Sequence, residues 1–233
     1  PHRVVEWIRR AYDERGLRNF LIVDDDLFRS PQWPAVLGGI AALRRQRPQI
    51  ALFLQSDVGV ATAARDGGVG SPAAVRGARF VELAAAAGCY QVFMGFESLE
   101  PANLAGLRKR QNQPRAGGAD AGELVERYRA VVSTWHAAGV GVHCGYMLGL
   151  PGDGSGCGAR AARALAEIGV DVVSFFAATP LPGTEDYQAA VADGSLLSTD
   201  WSAYDTTHFV RRHATLSRAQ LEHEYRDAYR TFY

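Results

Sequence analysis

Five times along this chain, apolar residues at helical spacing run up to a glycine or proline and give way within a few residues to a short apolar stretch. Val4, Val5, Ile8 and Tyr12 lead to Gly16 and the stretch 20–23. A helical pattern near 33–47 ends at Pro48 before 50–54, and one near 78–87 ends at Gly88 before 90–94. Patterns near 123–138 and 160–168 end at Gly139 and Gly169, before 140–147 and 170–176. Glycine supplies the left-handed turn that closes a helix, and proline cannot continue one. Helix and strand in strict alternation make successive strands parallel, with the helices returning across the outside of the sheet. The expected class is therefore α/β. Because such folds ordinarily open on a strand and this series opens on a helix at Pro1, we expect a longer polypeptide with one further strand upstream.

Composition narrows the partners. With 47% hydrophobic and 21% charged residues the chain can build a core, and 25 basic against 25 acidic residues leave no net charge to attract nucleic acid or anionic lipid. Small molecules or proteins are the expected partners. No apolar stretch approaches the roughly 20 residues that cross a bilayer, and no secretory leader is visible, so a cytoplasmic setting is expected. The three cysteines, Cys89, Cys144 and Cys157, are too few and too far apart for a disulfide framework or a short-spaced metal site.

Other stretches interrupt the pattern. The segment 66–77, DGGVGSPAAVRG, is expected to be a flexible loop insertion, and the polar region 101–119 a lid. Ser217 and Gln220 form an S-x-x-Q capping box that opens a terminal helix carrying Leu221, Tyr225 and Tyr229, packed outside the strands. The expected division is a core over 1–195 and an extension with that helix over 196–233.

In parallel β/α folds the ligand sits at the carboxyl ends of the strands, where loops converge and helix N-termini point inward. The stretch 20–28, FLIVDDDLF, runs four apolar residues into Asp24, Asp25 and Asp26; its apolar part is expected to be a strand buried on both faces, with the acids at its mouth. The second strand ends in Gln55, Ser56 and Asp57, and the third in Gly95, Glu97 and Ser98. The fourth gives Gly145, Tyr146, Gly149, Pro151, Gly152 and Asp153, and the fifth Thr179, Pro180, Pro182, Gly183 and Thr184. Taken singly, each is an ordinary turn or helix cap. All five fall on one face of the fold, which unrelated turns would not do. His143 lies within the fourth strand and reads as a core histidine before a ligand; His208 and His213 precede the last helix, either lining the mouth or solvated.

The order FLIVDDDLF, LFLQSDV, CYQVFMGFES with LRKRQN, GVHCGYMLGLPGD and FFAATPLPGTEDY resembles the radical S-adenosylmethionine (SAM) enzymes, and within them the branch that carries an N-terminal cobalamin-binding domain. The resemblance spans nearly the whole chain. It implies a six-stranded partial (β/α) barrel, here without its first strand and with a C-terminal helical extension. In that family a C-x-x-x-C-x-x-C loop after the first strand holds a 4Fe-4S cluster, which cleaves SAM to a 5′-deoxyadenosyl radical. In the cobalamin branch a methyl group is often then transferred to an unactivated carbon, and the substrate expected for this chain is small or lipid-like. By similarity Asp25 and Asp26 stand near the methionyl amine, Glu97 and Ser98 near the ribose hydroxyls, and the turn of Gly149, Pro151 and Gly152 near the adenine. Gln55, Asp57, Gly95 and Tyr146 complete the expected cofactor pocket. An electron-donor protein is an implied partner, and cobalamin on a separate upstream domain is a cofactor that the resemblance leaves open.

The chain departs from the family at one decisive point: it contains no C-x-x-x-C-x-x-C. The cluster ligands are therefore expected outside this chain, and the chain alone is expected to be inactive. Two other readings stand beside this one: a noncatalytic barrel used for protein binding, and a β/α-barrel enzyme holding Mg²⁺ on Asp24 and Asp26.

Overall fold

A computed structural model describes residues 1–62, 68, 70–109, 111–112 and 120–233. Five parallel strands, β1 (Asn19–Leu21), β2 (Ala51–Gln55), β3 (Cys89–Glu97), β4 (Gly141–Leu148) and β5 (Val172–Ala177), pair in chain order and curl into a half-barrel. Helix α1 (His2–Arg15) precedes β1; between the strands run α2 (Trp33–Arg44), α3 (Pro72–Ala86), α4 (Pro101–Gly106), α5 (Ala121–Ala137) and α6 (Cys157–Ile168), and after β5 come α7 (Glu185–Ala192) and α8 (Arg218–Phe232). The α/β partial barrel and its strand order follow the alternation read from sequence. Gly16 and Gly169 close α1 and α6 in left-handed backbone, which explains why the glycine stops were readable.

Burial separates the two faces of the sheet. Leu52 and Leu54, Val92, Met94 and Phe96, Val142 and Cys144, and Val173 and Phe175 point to the helix layer and are buried. Their alternates, among them Phe53, Phe93, His143 and Phe176, face the concave side and are only half-buried. Strands of period two under a single helix layer give this pattern.

The opening strand is the main correction. The stretch 20–23 is not buried on both faces: β1 lies at the sheet edge, Phe20 and Ile22 pack toward the core, and Leu21 and Val23 are 54% and 81% exposed. An apolar run cannot report whether a neighbour covers its second face, and among the described residues β1 pairs only with β2.

The segment expected as a loop over 66–77 is helical from Pro72, because Ser71 accepts a hydrogen bond from Ala74 N and Pro72 takes the first helical position, where no donor is needed. The rest of that expectation, at 66, 67 and 69, lies outside the described residues, as do 110 and 113–119 of the expected lid. Helix α4 occupies 101–106 of that region.

Helix α8 covers the far edge. Its capping box forms as expected, and the helix packs on α6 and β5. Tyr229 Oη accepts from Phe175 N at 3.2 Å and donates to Phe175 O at 3.3 Å, and Tyr233 Oη bonds Val173 N and O at 3.1 Å each. Four residues along a helix rise about 6.0 Å and two along a strand about 6.6 Å, so tyrosines at helical spacing match the free backbone groups of β5. The hydroxyls do what a sixth strand's backbone would do there.

Candidate functional site

The carboxyl ends of β1, β2 and β3 open on a cavity of about 500 Å³ lined by Asp25, Asp26, Arg29, Gln55, Ser56, Asp57, Phe93, Gly95, Glu97, Lys109 and Gln111. Two ionic groups face each other across it. On one side the Arg29 guanidinium bridges Asp26 (2.8 Å) and Asp57 (3.3 Å). On the other the Lys109 ammonium lies 2.7 Å from Glu97.

The first group is built by local turns. Asp24 accepts from Asp26 N and Asp57 from Gly59 N, so each acid turns its own loop, and residues 27–29 form one 3₁₀ turn that brings Arg29 back over Asp26. Burial and the neighbouring Asp57 carboxylate push the Asp26 carboxyl up to about 6, against which Arg29 pulls. Among the described residues one buried Asp26 oxygen, Oδ1, finds no hydrogen-bond partner. Two neighbouring carboxylates, one of them reluctant to ionise, beside a buried acceptor suit an incoming cation or donor.

The second group depends on backbone geometry. Glu97 ends β3 at φ 64, left-handed for a non-glycine residue, and a bulge in register falls between Gly95 and Glu97. The carboxylate folds back over Gly95, where a Cβ would overlap Glu97 Oε1. Strain of this kind at a strand end marks a place held by its surroundings.

The structure thus brings Asp25, Asp26, Gln55, Asp57, Gly95 and Glu97 of the expected site together and places the others elsewhere. Ser98 is buried, with Oγ accepting from Glu100 N and Asn103 Nδ2. Tyr146 points into the helix layer, where its hydroxyl accepts from Leu99 N at 3.1 Å, and burial pushes its ionisation up. Gly149, Pro151 and Gly152 form a turn that does not line the cavity. Asp153 accepts from Gly149 N and Leu150 N, and Asn103 ties Gly152 N to Asp153 Oδ1. Tyr146 and Asp153 instead border a second, smaller cavity of about 170 Å³ between β4, α5 and α6. His143 hydrogen-bonds Ser174 Oγ at 2.8 Å and its ring lies against Phe53 and Phe93, below the mouth. His213 bonds Leu150 O, and His208 pairs with Asp205.

Sequence reading missed the two cations. Arg29 follows Asp26 by one helical turn, a spacing that announces an i,i+3 pair, but Lys109 meets Glu97 only through tertiary packing.

The cysteines do not fit a cluster. Cys89 opens β3, Cys144 lies in β4 facing the helices, and Cys157 opens α6. All three are buried, and burial pushes the thiols of Cys89 and Cys157 up to about 12, so thiolate ligands are disfavoured there. Among the described residues no three His, Cys, Asp or Glu side chains converge to hold a metal ion, and no helix is long and apolar enough to cross a membrane.

No family profile matches the chain. Among solved structures, the radical SAM methyltransferase TsrM of Kitasatospora setae, described with cobalamin and a 4Fe-4S cluster bound, matches over 93% of this chain and 39% of its own, with a TM-score of 0.56 and 18% identity. The fold is that of the radical SAM enzymes. Elp3 of Methanocaldococcus infernus shares it at a TM-score of 0.50 and 12% identity, over 82% of this chain and 44% of its own. Among curated proteins, the bacteriochlorophyllide d C-12(1)-methyltransferase of Chlorobaculum tepidum is 26% identical over 129 residues, covering 55% of this chain and 25% of its own. An uncharacterised methyltransferase of Pyrococcus horikoshii is 26% identical over 146 residues, covering 63% and 29%. The chain therefore spans about a quarter of the length of the curated relatives it matches. On the radical SAM fold, the acidic cavity lies at the carboxyl ends of the strands, where parallel β/α folds hold their ligands.

Proposed function

We propose that this chain is the SAM-binding core of a radical SAM methyltransferase, with residues 1–195 as the barrel and 196–233 as an extension that covers its β5 edge. The observation that carries the reading is the mouth itself, where a fold shared with methyltransferases sets Asp25, Asp26 and Asp57 opposite Glu97 around one cavity. SAM presents an ammonium and a sulfonium at one end and two ribose hydroxyls beyond them. Asp25, Asp26 and Asp57 would hold the cationic end, and Arg29 lies beside them for the ligand's carboxylate. Glu97 would accept from the ribose hydroxyls, and Gly95 leaves room for close approach. When bound, SAM supplies the methyl group or the carbon-centred oxidant of the reaction. This chain's residues bind, orient and partly desolvate it.

The residues present do not fit a 4Fe-4S cluster; a cluster, and any cobalamin, would be held by residues outside this chain. The substrate is a small or lipid-like molecule, and an electron-donor protein is the implied partner. The Mg²⁺ reading finds less support, because Asp24 turns back onto Asp26 N and Asp26 is engaged by Arg29.

Titration calorimetry of SAM against the chain tests the proposal. Each of Asp57→Asn and Glu97→Gln should weaken binding about tenfold, the size of one lost charge-assisted contact. Binding that is absent, or equal in both variants and the parent, overturns the assignment and favours a barrel kept for protein binding.

A further inference from the structure

The Glu97 subsite is already filled by the protein's own cation. Glu97 Oε1 lies in the hollow over Gly95 with the Lys109 ammonium 2.7 Å away, the carboxylate only 14% exposed and the lysine 37%. Lys109 does not arrive there as a loose surface side chain. Its N–H donates to Leu104 O at 3.2 Å, and its carbonyl accepts from Asn112 N at 3.0 Å. Asn112 is buried, and its Nδ2 donates to Gly95 O at 2.9 Å and Phe96 O at 3.1 Å. The turn that carries the lysine is thus tied to the strand end that carries the glutamate. These bonds fix the backbone and leave the four-carbon stem free to swing the ammonium out of the cavity without moving the turn.

A vicinal diol donates to both oxygens of a carboxylate, and here one of them is committed to an ammonium inside the same cavity. We propose that Lys109 is a displaceable internal counter-ion that closes the Glu97 subsite until a ligand with vicinal hydroxyls exchanges with it. The proposal rests on the reading of the mouth as a nucleoside site. In the ligand-free protein Lys109 neutralises a half-buried carboxylate that would otherwise be unpaired. On binding, ligand hydroxyls take over Glu97 and the ammonium moves to solvent. Apparent affinity is then lowered by the fraction of molecules in which the lysine is in place.

Deleting a cation also raises affinity for a positive ligand through the general field, so SAM alone cannot test the idea. Adenosine is uncharged and keeps the hydroxyls; 2′,3′-dideoxyadenosine is uncharged and lacks them. Calorimetric titration of both against the parent chain and Lys109→Met separates the two effects. Adenosine should bind roughly two- to fivefold tighter to Lys109→Met, the range expected for removing a partly exposed ion pair, and dideoxyadenosine should bind the two proteins equally. Equal or weaker adenosine binding by the variant overturns the counter-ion role and leaves the nucleoside reading standing. A gain of the same size for dideoxyadenosine also overturns it, since Glu97 then plays no part. Adenosine binding by neither protein overturns the nucleoside reading and the proposal with it.

Discussion

Asp26 makes the site measurable without any cofactor. Its carboxyl is raised from the ordinary 3.8 to about 6, first by burial and then by Asp57. A carboxyl raised in the folded state contributes stability that is fully present below pH 3.8 and is lost as the pH rises through about 6, where the native protein must ionise an acid it prefers to keep neutral. The full difference corresponds to at most about 3 kcal/mol. Arg29, 68% exposed, brings water to the pair, and screening reduces the figure to about 1 kcal/mol. Asp26→Asn removes the ionisation and keeps the shape. At pH 7.5 the variant should melt about 2–4 °C above the parent, an advantage that shrinks through pH 6 and vanishes near pH 4. Melting curves of both proteins across that range measure the difference, so that other titrating groups cancel. A variant no more stable at pH 7.5, or one whose advantage does not change with pH, refutes the argument. The same carboxyl gives a binding signature: a cation docking on Asp26 near pH 6 should release a fraction of a proton, seen as a dependence of binding heat on buffer ionisation.

Glu224 of α8 is buried and accepts from Gly156 N and Gly158 N at 2.6 and 2.9 Å, setting a carboxylate at the N-terminus of α6, so Glu224→Ala should cost about 3 kcal/mol in urea unfolding and Glu224→Gln clearly less. Tyr229→Phe should cost about 1 kcal/mol by the same assay, because its hydroxyl serves Phe175 in a partly buried place; Tyr233→Phe should stay within about 0.5 kcal/mol, since that residue is 69% exposed and water replaces it. Anaerobic treatment of this chain with iron and sulfide should leave it colourless and unable to cleave SAM, whereas a polypeptide that also carries a C-x-x-x-C-x-x-C loop should turn brown and cleave it. A coloured, SAM-cleaving product from the chain alone would show that its buried cysteines had been misjudged.

What the sequence determined by itself was everything encoded locally. Glycine stops after amphipathic helices, the Ser217 and Gln220 capping box, and short apolar runs between them are short-range physics, so the helix and strand alternation and the parallel sheet were legible residue by residue. The acids at the carboxyl ends of the first three strands were legible too, because strand ends follow from strand positions. Only tertiary structure decided which of those ends share a cavity. Tyr146 shares the parity of Val142 and Cys144, and it points away from the mouth because that set packs under the helices. The turn after β4 carries glycines as a ligand loop would, but Asn103, some 50 residues away, binds it to Asp153 and turns it from the mouth. Lys109 meets Glu97 because Asn112 anchors its turn to β3, and Val23 is exposed because an edge strand has cover on one side only. These are contacts between residues distant in the chain, whose partners local sequence does not name.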